Sequence, residues 1–148
     1  MIIKHKTLNY KTKERLDFLD ITDKVHEFVA ESGVNNGIVN IQTLHTTTSI
    51  IVNEDEPLLI EDMKKHFREI AREDAYYGHN DFDVRIAHMH GLNEYKNGHS
   101  HVLATYLPTN VTLNVVDGKV TFGDWQRIFF IELDHSRDRK VQLQVMGE

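Results

Sequence analysis

Val111-Thr112-Leu113-Asn114-Val115-Val116-Asp117-Gly118-Lys119-Val120-Thr121-Phe122 is the stretch that decides the fold class of this chain. β-Branched and apolar residues crowd 111–116, Asp117-Gly118 is the favoured two-residue hairpin turn because both positions tolerate positive φ, and 119–122 returns in the same character. Toward the C-terminus, 125–133 and 139–146 read as further strands. The last alternates Val141, Leu143 and Val145 with Lys140, Gln142 and Gln144, the two-residue period of a strand with one buried face. Toward the N-terminus, 99–107 is predicted as a strand, as are 37–44 and 49–52 on either side of Thr46-Thr47-Thr48, and 2–20 reads as two short strands around a polar turn at Lys11-Thr12-Lys13. Only two segments carry the helical period. One covers 23–32, with Thr22 as its N-cap, Val25, Phe28 and Val29 on one face and Gly33 as its stop. The other starts at Pro57, with Asp55 and Glu56 at its positive end and Leu59, Met63, Phe67 and Ile70 at helical spacing. Between 72 and 98 the pattern fails in a turn-rich run with a short helix expected around 85–90; irregular segments of this kind are often functional. The prediction is an α+β fold: a single compact domain over 1–148, mainly antiparallel strands with two main helices.

With 148 residues the chain is one ordinary domain, able to bury roughly two-thirds of the surface of its unfolded form. No cysteine is present, which excludes disulfides, thiolate zinc sites, iron–sulfur clusters and a cysteine nucleophile, and points to the reducing cytosol. No apolar run approaches the ~20 residues of a membrane span, and Met1-Ile2-Ile3-Lys4-His5 alternates where a signal peptide would be continuously apolar, so a soluble, unprocessed, cytoplasmic protein with no membrane partner is expected. Seventeen Lys and Arg against 23 Asp and Glu leave a net charge of −6, which disfavours nucleic acid as a partner because that mode needs cations to displace counterions from phosphates.

Ten histidines stand out. Neutral imidazole is the commonest metal ligand among side chains. On a strand, His99 and His101 would project from one face; His45 lies at a strand end beside three threonines, and His79 lies in the irregular segment beside Asn80 and Asp81. Meeting at one centre, His45, His79, His99 and His101 would hold a divalent ion with an open coordination position, Zn or Mg being the candidates; scattered polar residues at strand ends are the plain alternative. His5, His26, His66 and His135 read as surface residues, and His88 and His90 are left without a role. Thr46, Thr47 and Thr48 could offer hydroxyls and N–H groups to a phosphate, or simply be good strand residues. Glu54, after Asn53, is a candidate acid–base group or a support for a metal-bound histidine, or only a helix cap. Asp81 and His99 are further catalytic candidates. Arg137 and Arg139 could clamp an anion, or pair with Asp134 and Asp138; Glu132, on one strand face with Gln126 and Asp134, could pair with an arginine inside the fold. Trp125 reads as core or subunit interface.

Taken in order, His45-Thr46-Thr47-Thr48-Ser49, Asn53-Glu54, His79-Asn80-Asp81, Asn97-Gly98-His99-Ser100-His101 and Gly123-Asp124-Trp125-Gln126, followed by Glu132, Asp134, Arg137 and Arg139, resemble the YjbQ-like family from Gly37 to Glu148. Asp124 stands where the family usually has a small hydroxyl residue, His135-Ser136 where it usually has Gly-Pro, and Thr48 where alanine is common. The resemblance implies a compact α+β fold, a homotrimer, a histidine cluster near subunit boundaries, and a secondary thiamine-phosphate synthase activity. That reaction joins an aminopyrimidine diphosphate to a thiazole phosphate and releases pyrophosphate. The expected enzyme is thus a metal-assisted transferase acting on a small phosphorylated substrate. His45, His79, His99 and His101 would hold the metal, with Glu54, His99 and Asp81 catalytic. Thr46, Thr47, Thr48, Asn53, Gln126, Arg137 and Arg139 would hold the substrate. The alternatives are a non-catalytic trimeric binder of a metal or phosphometabolite, and a metal-dependent phosphate-ester hydrolase.

Overall fold

The computed structural model describes residues 1–89, 91 and 94–148. Eight strands and three α-helices run in the order β1 (Ile2–Lys11), β2 (Phe18–Asp20), α1 (Thr22–Ser32), β3 (Gly37–Thr43), β4 (Thr48–Glu54), α2 (Pro57–Ile70), a 3₁₀ turn at Gly78–Asn80, α3 (Gly98–Ala104), β5 (Asn110–Val116), β6 (Lys119–Val120), β7 (Gln126–Glu132) and β8 (Asp138–Gly147). The expected α+β class with antiparallel sheets is the observed one. Every pairing is antiparallel: β1-β8-β3-β5-β6 form one sheet and β2-β7-β4 a second.

The alternation read from the sequence puts Val141, Leu143 and Val145 of β8 into a core that also holds Val39 and Ile41 of β3 and Val25, Phe28 and Val29 of α1. β7 behaves differently. Its run Ile128-Phe129-Phe130-Ile131 is fully buried because the small sheet is covered on both faces. Ile128 and Phe130 point toward the five-stranded sheet, whereas Phe129 and Ile131 pack with Leu16, Phe67 of α2 and Leu103 of α3. The molecule is therefore layered: large sheet, small sheet, then α2 and α3.

Local signals account for most element ends. Gly33 adopts φ 76° after α1, and Asp117 and Gly118 take φ 50° and 73° in the hairpin, as the turn type requires. The Glu56 carboxylate caps α2 by accepting the N–H groups of Leu58 and Leu59, and Pro57 occupies the first turn. Thr22 is the first residue of α1 and not its cap; its hydroxyl instead accepts the N–H of Ile128 at 2.8 Å, tying the helix to β7.

Two expectations are corrected. The segment 99–107 is not a strand: residues 98–104 are α3. The helix forms because Ser100, Leu103 and Ala104 fall on one face, where Leu103 is fully buried in the second core and the Ser100 hydroxyl donates to the carbonyl of Leu133 at 2.6 Å. In a segment this short, tertiary burial outweighs the β-propensity of Val102 and Thr105. No helix forms at 85–89 either. There the guanidinium of Arg85 gathers the carbonyls of His79, Ala87 and His88 into an irregular loop, and His88 sits at φ 54°. His90 lies outside the described residues.

Candidate functional site

The turn between β3 and β4 carries His45, Thr46 and Thr47, and it is sewn to β8. The N–H of Leu44 donates to the carbonyl of Lys140 at 3.4 Å, and the N–H of Lys140 donates to His45 Nε2 at 2.8 Å. Thr43 and Thr48 close the turn with a hydroxyl–hydroxyl bond, so Thr48 is spent on structure and is 1% exposed. Beside this turn lie the start of α3 and the last turn before β8. Together they enclose a cavity of about 310 Å³ lined by His45, Thr46, Thr47, Asn97, His101, Arg137 and Arg139. Six of the predicted site residues, from three distant stretches of the sequence, meet there: His45, Thr46, Thr47, His101, Arg137 and Arg139.

Behind the cavity two buried carboxylates fix the arginines. Glu132, fully buried, accepts Arg139 Nε at 2.7 Å and Nη2 at 2.6 Å, the hydroxyl of Thr12 at 2.8 Å and the N–H of Asp134 at 3.0 Å. Arg139 also donates to Thr47 Oγ1 at 2.9 Å. Its pairing with Glu132 was the internal ion pair anticipated from the sequence; the paired fork is neutralised, so of the two-arginine clamp only Arg137 retains a partly open guanidinium. Arg137 Nη2 donates to Asp134 at 2.8 Å, its plane lies 4.6 Å from the ring centre of Tyr95, and its buried Nε has no partner. Asn97 Nδ2 donates to the same Asp134 oxygen at 2.8 Å. Sequence reasoning gave Tyr95 no part in the site, since nothing local marks an aromatic in an irregular segment as the stacking surface for a distant arginine.

Burial is the largest influence on the Asp134 carboxyl and pushes its pKa up, but the bonds from Asn97 and His135 and the charge of Arg137 together hold it below the usual carboxylate range. A depressed folded value contributes stability above the unfolded pKa, and that contribution is lost as the pH falls through the folded value. Below about pH 4, the wild-type melting temperature is therefore expected to fall more steeply than that of Asp134→Asn. Parallel curves in acid would show that this carboxylate adds nothing.

The four candidate metal ligands do not converge. On α3 His99 and His101 are two residues apart and so face different ways, which overturns the shared face expected of a strand. His99 lies on the far side, in a cleft of about 640 Å³ with Arg15, Tyr95, Lys96 and His135; its Nε2 is 3.7 Å from Glu73 and its buried Nδ1 has no partner. Burial first, and then Arg15, lower its pKa. His101 packs edge-on against His79 with ring centres 4.7 Å apart. His79 Nε2 faces Arg85 Nη1 at 3.3 Å, and because guanidinium only donates, that nitrogen must offer its lone pair. His45 Nε2 is occupied in the same way by Lys140 N–H. Among the described residues no group of three or more His, Asp or Glu side chains is close enough to hold a metal ion. One zinc or magnesium ion shared by the four imidazoles does not fit this arrangement within one chain.

The remaining candidates also lie elsewhere. Asp81 accepts bonds from the hydroxyl of Tyr76 and the N–H of Asp83 beside a separate cavity of about 530 Å³. Asn53 and Glu54 end β4, whose first residue Thr48 follows the cavity-lining Thr47; at ~3.3 Å per residue the strand puts them roughly 20 Å away. Asn53 contacts Met63, and Gln126, paired with Glu54, accepts the N–H of Gly123. Trp125 is 74% exposed, so it is not core within this chain.

Comparison with known proteins shows that the scaffold is a shared one. The family model described as UPF0047 protein YjbQ-like matches residues 6–148. This chain belongs to the YjbQ-like UPF0047 family. Within the family, a UPF0047 protein of Methanothermobacter thermautotrophicus is 35% identical over 141 residues, covering 95% of this chain and 90% of that protein. The UPF0047 protein YugU of Bacillus subtilis is 32% identical over 143 residues, covering 96% and 98%. A solved structure of a YbjQ-like protein of unknown function from Sulfolobus solfataricus superposes with a TM-score of 0.87 at 32% identity, covering 99% of this chain and 98% of that one. A hypothetical protein from Aeropyrum pernix gives 0.85 at 35%, covering 98% and 99%. Among the described residues of this YjbQ-like chain no helix is long and apolar enough to cross a membrane.

Proposed function

We propose that the cavity beside His45 binds a phosphate or diphosphate group, and that the protein is a transferase on small phosphorylated metabolites in the manner of a thiamine-phosphate synthase. The observation that carries this reading is the convergence of hydrogen-bond donors from three distant stretches, His45 to Thr47, Asn97 to His101 and Arg137 to Arg139, on one small polar cavity. Arg137 supplies charge, held in place by Asp134 and stacked on Tyr95. Thr46 and the imidazoles supply uncharged donors. In a transfer that expels pyrophosphate, donors already aimed at the leaving oxygens stabilise the growing negative charge without rearrangement, and the cavity holds the electrophilic carbon for attack by the acceptor nitrogen. This reading routes no step through a metal ion.

A second reading, a protein that holds a phosphorylated metabolite without converting it, is favoured by one observation. Glu54 and Asp81 lie outside the cavity, which leaves only imidazoles there for proton transfer. A homotrimer belongs to both readings, and sedimentation should give a mass of three 17.2 kDa chains.

The deciding experiment incubates the purified protein with an aminopyrimidine diphosphate and a thiazole phosphate, follows thiamine phosphate by its fluorescent oxidation product, and titrates inorganic pyrophosphate by calorimetry. Product plus saturable pyrophosphate binding is expected. Binding without product leaves the second reading, and no binding at all removes both.

A further inference from the structure

We propose that His45 is locked by the backbone of β8 as the neutral Nδ1–H tautomer and serves the cavity as an uncharged hydrogen-bond donor to a phosphoryl oxygen. The role rests on the phosphate reading above, while the tautomer rests on geometry alone. The Lys140 N–H, a group that can only donate, lies 2.8 Å from His45 Nε2, so this nitrogen must present its lone pair. A neutral imidazole carries a single N–H, which is thereby placed on Nδ1. No described residue pairs with Nδ1. It is also absent from the buried unpartnered nitrogens, which are Arg15 Nε, His99 Nδ1 and Arg137 Nε, so its proton remains available to a ligand.

The other two states of the ring are disfavoured. An imidazolium would set an Nε2 proton against the Lys140 N–H, and burial, then the charge of Arg139, already depress the pKa. A metal bound through Nδ1 with Nε2 still accepting would require an imidazolate. The turn holds the backbone of His45 beside β8: Thr43 Oγ1 accepts the His45 N–H at 3.3 Å and Leu44 N–H binds the Lys140 carbonyl, so a ring that swung away would leave the Lys140 N–H without its acceptor. His45 borders both this cavity and an adjoining one of about 360 Å³ that adds Lys11, Asp138 and Lys140. A neutral donor at that boundary orients an oxyanion, while the charge comes from Arg137 on one side and from Lys11 and Lys140, set against Asp138, on the other.

Histidine-labelled full-length protein is examined by ¹⁵N imidazole spectroscopy, free and with inorganic pyrophosphate, beside the variants His45→Asn and His45→Gln. Asparagine places an amide N–H near the Nδ1 position, and glutamine near Nε2. We expect His45 Nε2 to resonate as an unprotonated nitrogen and Nδ1 as a protonated one, with Nδ1 moving on addition of pyrophosphate. Pyrophosphate affinity should stay within about threefold in His45→Asn and weaken roughly tenfold in His45→Gln, the size of one neutral hydrogen bond. A proton on Nε2, or a charged ring, overturns the tautomer, and this is read on the wild-type protein whatever the variants do. Equal losses in both variants, or an unmoved Nδ1, overturn the donor role. If the wild type binds no pyrophosphate, the phosphate reading and the donor role fall together, while the tautomer is still decided by the free spectrum.

Discussion

Replacing Glu132 with alanine is expected to lower the melting temperature by roughly 10 °C. Glu132 is fully buried and accepts four hydrogen bonds, two of them from Arg139, which is itself 5% exposed. Removing the carboxylate strands a guanidinium in the interior, a change that costs about 3–5 kcal/mol because the remaining charge is neither solvated nor paired. For a chain of this length each kcal/mol shifts the melting temperature by ~2–4 °C. The loss also reaches beyond one contact: Thr12, which the same carboxylate holds, exchanges bonds with Arg137 through both its hydroxyl and its backbone, so the end of β1 loosens with the last turn. Removing the charge from both sides at once, as Glu132→Leu with Arg139→Met, should recover a large part of the loss, since no unpaired ion is left behind. A melt within 2 °C of wild type for Glu132→Ala would show that the buried pair is not holding the structure.

Arg137→Ala is expected to weaken pyrophosphate binding roughly thirtyfold, about 2 kcal/mol, the size of a charge-assisted hydrogen bond. Stability should change little by comparison, because Asp134 keeps its bonds from Asn97 and from the backbone and ring of His135. Arg137→Lys should recover only part of the affinity: an ammonium retains charge but loses both the planar fork and the stack on Tyr95. Titration calorimetry at fixed ionic strength measures all three proteins. Unchanged affinity in Arg137→Ala would remove this arginine from the site and, with it, the charge on which the phosphate reading depends.

The two predictions separate the arginines by what each faces. Arg139 is committed to Glu132 and Thr47, so its replacement disturbs the architecture before it disturbs binding. Arg137 keeps a nitrogen without a partner and lies half open over Tyr95. Two residues apart in sequence, they are indistinguishable as letters, and only the position of the carboxylates behind them divides the work.

Much of what short-range chemistry governs was legible in the sequence, although Thr22 proved to be the first residue of α1 and no helix forms at 85–89. The hairpin at Asp117-Gly118, the stop at Gly33, the start of α2 at Pro57 and the alternation along β8 depend on a few adjacent residues whose backbone preferences or periodicity act locally. The family is legible for the same reason, since its motifs are short and ordered. What only the tertiary structure decided is whatever depends on the third dimension. Residues 98–104 became a helix because Leu103 has a core to enter and Ser100 a carbonyl to reach, partners that lie far away along the chain. That single change of period separated His99 from His101 and dissolved the expected four-histidine centre. The same packing brought His45, Asn97 and Arg137 around one cavity and fixed the proton of His45 through a backbone N–H of β8. Side-chain identity is written in the sequence, but the direction a side chain faces and the partner that holds its proton are set by burial and by contacts between distant segments.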